Sequence, residues 1–249
     1  MKLVAMVGTQ SEASPSQTLL AMMKKRYANQ AVIEVAPIHG MPMFDETAAK
    51  MPAEVAGLAH QIAAADGVII ATPEYAHWMP AALKSVLEWF SRMPQLFEDK
   101  PVMVIGISAD DTGAALATAS VKQVLSAAGL SANVLGGGQF ALRQANAAFA
   151  NGTLRDQAAL DQLDRDFTQF AIFVRKQTSV DAQTSPTQAY LNLNTDVVTG
   201  ASEETDAQTG ASEAVDQDTE SENNDKSEGD QPQEAPMSEQ DATTGASEH

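Results

Sequence analysis

The sequence contains no cysteine, which removes disulfides, thiolate metal sites and cysteine nucleophiles from consideration. It has no apolar stretch near the roughly 20 residues needed to span a bilayer. The apolar run at its start, Leu3 to Val7, stops at Gly8 and is too short for a signal-peptide core. The expectation is a cytoplasmic protein without a membrane partner. Positive charge is scarce and unevenly placed. Residues 177–249 hold 17 of the 33 acidic residues and a single base, Lys226, leaving 16 acids and 14 bases in residues 1–176. The net charge of −18 therefore splits into about −2 for the front and −16 for the back. The back repels nucleic acid, and the front has no basic stripe to compensate, so a nucleic-acid partner is excluded. The four histidines, His39, His60, His77 and His249, show no metal-ligand spacing. No metal site and no Ser-His-Asp arrangement is expected.

What the front does contain is strict alternation. Five short apolar runs, Leu3 to Val7, Ala31 to Val35, Gly67 to Ala71, Val102 to Ile107 and Ala132 to Leu135, lack polar alternation. Strands buried on both faces of a parallel sheet read this way. Between them lie helical stretches at Ser16 to Ala28, Pro52 to Ala65, Pro80 to Arg92 and Ala114 to Ala128. A fifth, Arg155 to Lys176, repeats Leu160, Leu163, Phe167, Phe170 and Phe173 at steps of three or four, one face of a helix. Pro80 suits a first helical turn, and Gly129 suits a left-handed C-cap after Ala128. The pattern predicts an α/β, flavodoxin-like three-layer sandwich: a five-stranded parallel sheet of order 2-1-3-4-5 with helices on both faces. Its ligand belongs beyond the carboxyl ends of the strands, near the first and third.

From Gln177 onward the chain changes character. It is rich in Ser, Thr, Gln, Asp, Glu and Ala, with Tyr190 as its one aromatic, and Thr-Gly-Ala-Ser-Glu recurs at Thr199, Thr209 and Thr244. So little apolar surface does not offset a chain entropy of about 1–2 kcal/mol per residue. We expect two parts, a folded domain at 1–176 and an acidic, low-complexity, disordered tail at 177–249 with a partner of unknown kind. Tyr190, Leu191, Leu193 and Val197–Val198 are the candidates for a short docking element within it.

Three loops follow the strands that matter. The first, Gly8-Thr9-Gln10-Ser11-Glu12-Ala13-Ser14-Pro15-Ser16, leads into a helix and reads as a phosphate cradle. Thr9, Ser11, Ser14 and Ser16 can donate to phosphate oxygens, and the helix adds free N–H groups and a positive dipole end. An ordinary serine-rich N-cap explains Ser14 or Ser16 equally well, and Glu12 sets a negative charge in the same loop. The second is Thr72-Pro73-Glu74-Tyr75-Ala76-His77-Trp78-Met79-Pro80, where Tyr75 and Trp78 also suit a packed turn and His77 is a candidate proton donor. The third is Ser108-Ala109-Asp110-Asp111-Thr112-Gly113, whose two aspartates suit either a cap for the next helix or a place in the site.

The second loop and its helix, Thr72 to Arg92, resemble the signature of the NADPH-dependent FMN reductase family, which includes flavin, quinone, azo-dye and chromate reductases. Thr72 to Tyr75, Pro80, Leu83, Lys84, Trp89, Ser91 and Arg92 match as they stand. The first loop resembles the family's Gly-Ser-x-Arg-x-x-Ser-x-Asn at Gly8, Thr9, Ser14 and Ser16. Ser11 stands where the family usually has arginine, Ser16 where it has asparagine, and Ala76 where it has asparagine. Losing a charged phosphate partner weakens cofactor binding. Gly136-Gly137-Gly138-Gln139-Phe140 resembles the family's last loop, and Asn151-Gly152 the start of its final helix.

The resemblance implies an FMN-dependent NAD(P)H oxidoreductase. Hydride passes from the nicotinamide to flavin N5, then electrons pass to FMN, a quinone or another small acceptor. It implies FMN contacts from Thr9, Ser11, Ser14, Ser16, Pro73, Glu74, Tyr75, Ala76, Ser108 and Gly113, with Thr112 beside them and no catalytic acid or base. It also implies a homodimer or homotetramer, for which Trp78, Met79 and Trp89 are interface candidates. Two other readings stay open: a flavodoxin-type electron carrier, and a flavin-less interaction protein with a decayed site.

Overall fold

The computed structural model describes residues 1–137 and 140–181. Strands and helices alternate as β1 (Lys2–Val7), α1 (Pro15–Arg26), β2 (Val32–Pro37), α2 (Ala53–Ala63), β3 (Gly67–Pro73), α3 (Ala81–Ser91), β4 (Pro101–Ile107) and α4 (Ala115–Leu125). Then come the short strands β5 (Asn133–Val134), β6 (Ala141–Leu142), β7 (Phe149–Ala150) and β8 (Thr153–Leu154), and finally α5 (Gln157–Asp181). The sheet runs β2-β1-β3-β4-β5, with β6 also paired to β4, and its pairings are parallel.

The apolar runs lack polar alternation because both faces of the sheet are covered. Leu3, Ala5, Val7, Ile69, Ala71, Met103 and Ile105 pack with Leu19, Leu20 and Met23 of α1 and Leu163, Phe167 and Phe170 of α5. Their neighbours in sequence, Val4, Met6, Val68, Ile70, Val102 and Val104, face the other way onto α2, α3 and α4. Each large apolar side chain so buried contributes about 1.5–3 kcal/mol. Register sets the functional edge. Val7 pairs with Ala71 and Pro73 with Ile107, so β1, β3 and β4 end side by side. The order of strand addition reverses at β1, with β2 on one side and β3 on the other, which opens a crevice between β1 and β3.

Four local expectations are corrected. The fifth strand is not one run from Ala132 to Leu135. Asn133 and Val134 pair with Pro101 and Val102, and after a break the strand position is taken again by Ala141 and Leu142 beside Gly106 and Ile107. Gly137, at φ 88, has left the extended conformation that pairing needs. Asn151-Gly152 does not start the last helix. With φ of 50 and 74 it is the tight turn of the β7–β8 hairpin, a conformation that favours Asn-Gly. Gly129 is not a left-handed C-cap, because α4 ends at Leu125 with Ser126 in the helical region, and Ser131 takes the positive φ of 53 instead. Met79 and Trp89 are core, not interface: both are buried among the residues facing α2, α3 and α4, and Trp89 Nε1 donates to Pro42 O at 3.0 Å.

Among the described residues, no helix is long and apolar enough to cross a membrane. Gly138 and Gln139 of the glycine-rich stretch, the candidate docking element at Tyr190 to Val198, His249 and residues 182–249 of the tail lie outside the described residues. Residues 177–181, expected as the start of the tail, are instead the end of α5.

Candidate functional site

A cleft of about 380 Å³ opens where β1, β3 and β4 end, within the range of roughly 300–1,000 Å³ usual for cofactor sites. The loop after β1 forms one wall. Ser14 caps α1 through its side chain, its Oγ accepting from Gln17 N–H at 3.2 Å, and Pro15 fills the first helical position. Thr9 and Ser16 are buried polar residues of the wall, while Ser11 is exposed on its lip. No acidic residue occupies the first turn of α1, so its N-terminus keeps its positive end. Glu12 is not among the lining residues. Its carboxylate sits 3.2 Å from His39 Nε2 in the loop after β2, and His39 Nδ1 lies 2.8 Å from the Gln10 carbonyl oxygen. The charge that threatened the cradle is held outside it.

The loop after β3 forms the second wall. Tyr75 and Trp78 each donate an N–H to the other's carbonyl at 3.0 Å, closing a turn whose central residues, Ala76 and His77, are both left-handed with φ of 48 and 61. An L-residue pays about 1–2 kcal/mol for that conformation. Asparagine tolerates it better than alanine, which gives Ala76 a backbone consequence beyond the missing amide. Tyr75 Oη stands 3.1 Å from Thr9 Oγ1, linking the two walls. His77 is open to solvent, with its Nδ1 3.5 Å from Glu74 Oε1.

The loop after β4 is closed on itself. Ser108 Oγ donates to Asp110 O at 2.8 Å and accepts from Gly113 N–H at 2.9 Å. Asp110 does not cap the next helix. Its Oδ1 accepts from Thr112 Oγ1 at 2.6 Å and Thr112 N–H at 3.0 Å, and these bonds hold the carboxyl below the usual range. Asp111 accepts from Gln144 Nε2 at 3.0 Å. The loop lies so close over β4 that a Cβ on Gly106 would stand 2.2 Å from Gly113 O, so β4 needs glycine there.

Nine of the ten residues expected at the cofactor, Thr9, Ser11, Ser14, Ser16, Pro73, Glu74, Tyr75, Ala76 and Ser108, line this cleft, and so do Thr112 and His77. Gly113 does not line it; it sits under the loop with its N–H on Ser108. The described glycines 136 and 137 are also absent from the lining, and the last wall is Ala145 and Asn146, which sequence reasoning missed. Nothing local marks them. They reach the cleft because Ala145 N–H donates to Ser108 O at 2.9 Å.

Comparison with known proteins accords with this geometry. Residues 1–147 match the family model for NADPH-dependent FMN reductase. The chain belongs to this family. It is 40 % identical over 182 residues to the NADH:(hydroxy)cinnamate reductase subunit CrdA of Vibrio ruber, covering 72 % of this chain and 90 % of that one. It is 38 % identical over 182 residues to NADH-dependent flavin reductase subunit 2 of Lactobacillus johnsonii, covering 71 % and 98 %. Against the flavoenzyme NAD(P)H:(acceptor) oxidoreductase FerB of Paracoccus denitrificans, the structure gives a TM-score of 0.63 at 25 % identity, over 71 % of this chain and 98 % of that one. As a member of the NADPH-dependent FMN reductases the chain is an oxidoreductase with FMN as its cofactor. The residues present fit that cofactor: the cleft offers a helix N-terminus without a competing acid, buried hydroxyls beside it, and a backbone turn opposite.

Proposed function

We propose that this cleft holds FMN with its phosphate on the first turn of α1, and that the protein oxidises NAD(P)H at the expense of a small acceptor such as a quinone or free flavin. The observation that carries the placement is a contrast between two helix starts. Those of α1 and α4 both belong to the cleft's surroundings, but the α4 N–H groups of Leu116 and Ala117 are already bonded to Glu74. The first turn of α1 has only the neutral Ser14 as its side-chain cap. An anionic group is therefore drawn to α1. Thr9, Ser11 and Ser16 then offer hydroxyls to it, Pro73 to Ala76 flank the ring, and Ser108, Ala145 and Asn146 close the remaining side.

When bound, FMN supplies the two-electron chemistry between nicotinamide and acceptor. The protein's part is to orient the cofactor and leave one side of it open to two substrates in turn. No side chain needs to act as acid or base, and His77 at the rim faces solvent, which supplies protons directly. The exposed apolar residues Tyr75, Trp78 and Leu116 are where we place a second copy of the chain. The co-substrate fits a cytoplasmic location. We set the end of the reductase domain at the end of α5, with the acidic residues beyond it as a separate solubilising segment.

The test is to titrate the purified protein with FMN by fluorescence quenching, then follow NADH and NADPH oxidation with added quinone, flavin or no acceptor. Saturable uptake and acceptor-dependent oxidation are expected. Protein that binds FMN but oxidises neither nucleotide is an electron carrier. Protein that takes up no FMN overturns the reading and leaves a flavin-less interaction role.

A further inference from the structure

Helix α4 begins without a cap of its own. Ala114, the residue before its first turn, is left-handed and provides no side-chain acceptor, although the first N–H groups of a helix need partners from outside it. The partner comes from the turn after β3. Glu74 Oε2 accepts from Leu116 N–H at 3.0 Å and from Ala117 N–H at 3.1 Å. Its side chain is only 12 % exposed. A carboxylate on two backbone N–H groups at a helix start is both charge-assisted and matched to the dipole.

The same residue precedes the strained part of the cleft wall. Ala76 and His77 are held left-handed, and such strain persists only where surrounding structure over-determines it. The two bonds between Tyr75 and Trp78 close the turn internally, and just after it Met79 N–H donates to Ser120 Oγ of α4 at 3.3 Å. Glu74 fixes one flank to α4, and the Tyr75 hydroxyl meets Thr9 on the other.

We infer that Glu74 is a positioning residue for the cofactor site. Its carboxylate is taken up by the Leu116 and Ala117 N–H groups and so pins the Pro73–Ala76 wall to the start of α4, and cofactor affinity follows that bond. The inference rests on the FMN reading and deepens it.

The experiment compares the full chain with Glu74→Gln, Glu74→Asp and Glu74→Ala. It measures FMN dissociation constants by fluorescence titration and amide hydrogen exchange in the proteins without FMN. Glutamine keeps an acceptor oxygen at the right reach, and its dissociation constant should stay within about threefold of wild type. Alanine removes the acceptor and should weaken FMN binding about tenfold or more, with aspartate in between. Exchange at Leu116 and Ala117 should speed up together with exchange at Tyr75 and Trp78 in the alanine and aspartate variants. A folded alanine variant with wild-type affinity overturns the inference. So does faster exchange at α4 that leaves the Tyr75 and Trp78 amides protected. If the alanine variant does not fold, aspartate against glutamine decides. If wild type takes up no FMN, the functional reading fails, while the exchange comparison still decides whether Glu74 couples the turn to α4.

Discussion

Ser11 is exposed on the lip of the cleft, at a position where the resembled motif usually carries arginine. Among the described residues no lysine or arginine lines the cleft, so under the proposed placement a phosphate there would rely on neutral hydroxyls and a helix dipole. Ser11→Arg is expected to tighten FMN binding about tenfold, the lower end of what a charged hydrogen bond contributes, because the site is open to water. It should also steepen the salt dependence of binding, since an exposed charge is screened over about 10 Å at 0.1 M ionic strength. FMN titrations of both proteins at low and high salt check this, and equal affinities at low salt would count against the phosphate placement. At this scale much of the site was legible in the sequence. Hydroxyl residues between a strand and a helix serve as N-caps or as anion donors, which is why Thr9, Ser14 and Ser16 could be singled out, and Ser14 is the N-cap of α1. The partner of Glu74 was not legible, because Leu116 and Ala117 lie more than 40 positions away.

At the scale of elements, α1 and α5 are joined by one cluster. Arg26 Nε and Nη2 donate to Asp164 Oδ1 and Oδ2 at 2.7 and 2.6 Å, and Tyr27 Oη donates to Oδ1 at 2.9 Å. The Tyr27 ring stacks on Phe167 with centroids 3.8 Å apart. The Arg26 hydrogen bonds hold Asp164 below the usual carboxylate range. A depressed carboxylate contributes stability present above its unfolded-state value and lost as pH falls through its folded one. Asp166 behaves oppositely. Burial pushes its carboxyl up, and its Oδ2 has no hydrogen-bond partner among the described residues. Its contribution is present below the unfolded-state value and lost as pH rises through the folded one. Asp164→Asn should therefore cost about 1 kcal/mol at neutral pH, the upper end for a solvent-screened pair, and nothing in acid. Asp166→Asn should raise neutral-pH stability and leave the acid side unchanged. Thermal midpoints measured from acid to neutral pH check both, and a fall in the neutral midpoint for Asp166→Asn would refute the second.

For the whole molecule the sharpest asymmetry is charge, about −2 before Gln177 and −16 from there on. A chain ending at Asp181 is expected to keep its far-ultraviolet spectrum and its FMN affinity, because the described core and cleft lie in residues 1–181. It should also be less soluble, since a protein near zero net charge self-associates more readily. Ending at Lys176 instead removes Gln177, whose Oε1 accepts from Asn133 Nδ2 at 3.1 Å on β5, and should lower the thermal midpoint slightly. Circular dichroism, FMN titration and salting-out of the truncated forms measure these outcomes. Loss of FMN binding at Asp181 would show that the acidic segment belongs to the domain.

The sequence alone determined the alternating elements, the parallel sheet and the family. Those features are local: a doubly buried strand shows as an unbroken apolar run, a half-buried helix as a period near 3.6, and the Thr72 to Arg92 motif as consecutive residues. Only the tertiary structure decided the rest. It split the fifth strand position between Val134 and Ala141, sank Trp89 into the core, tied Glu12 to His39 away from the cradle, and set Glu74 on the start of α4. Each of these is a pairing between residues distant along the chain. Sheet register and crossover direction bring such residues together, and neither is written in the pattern around any one of them.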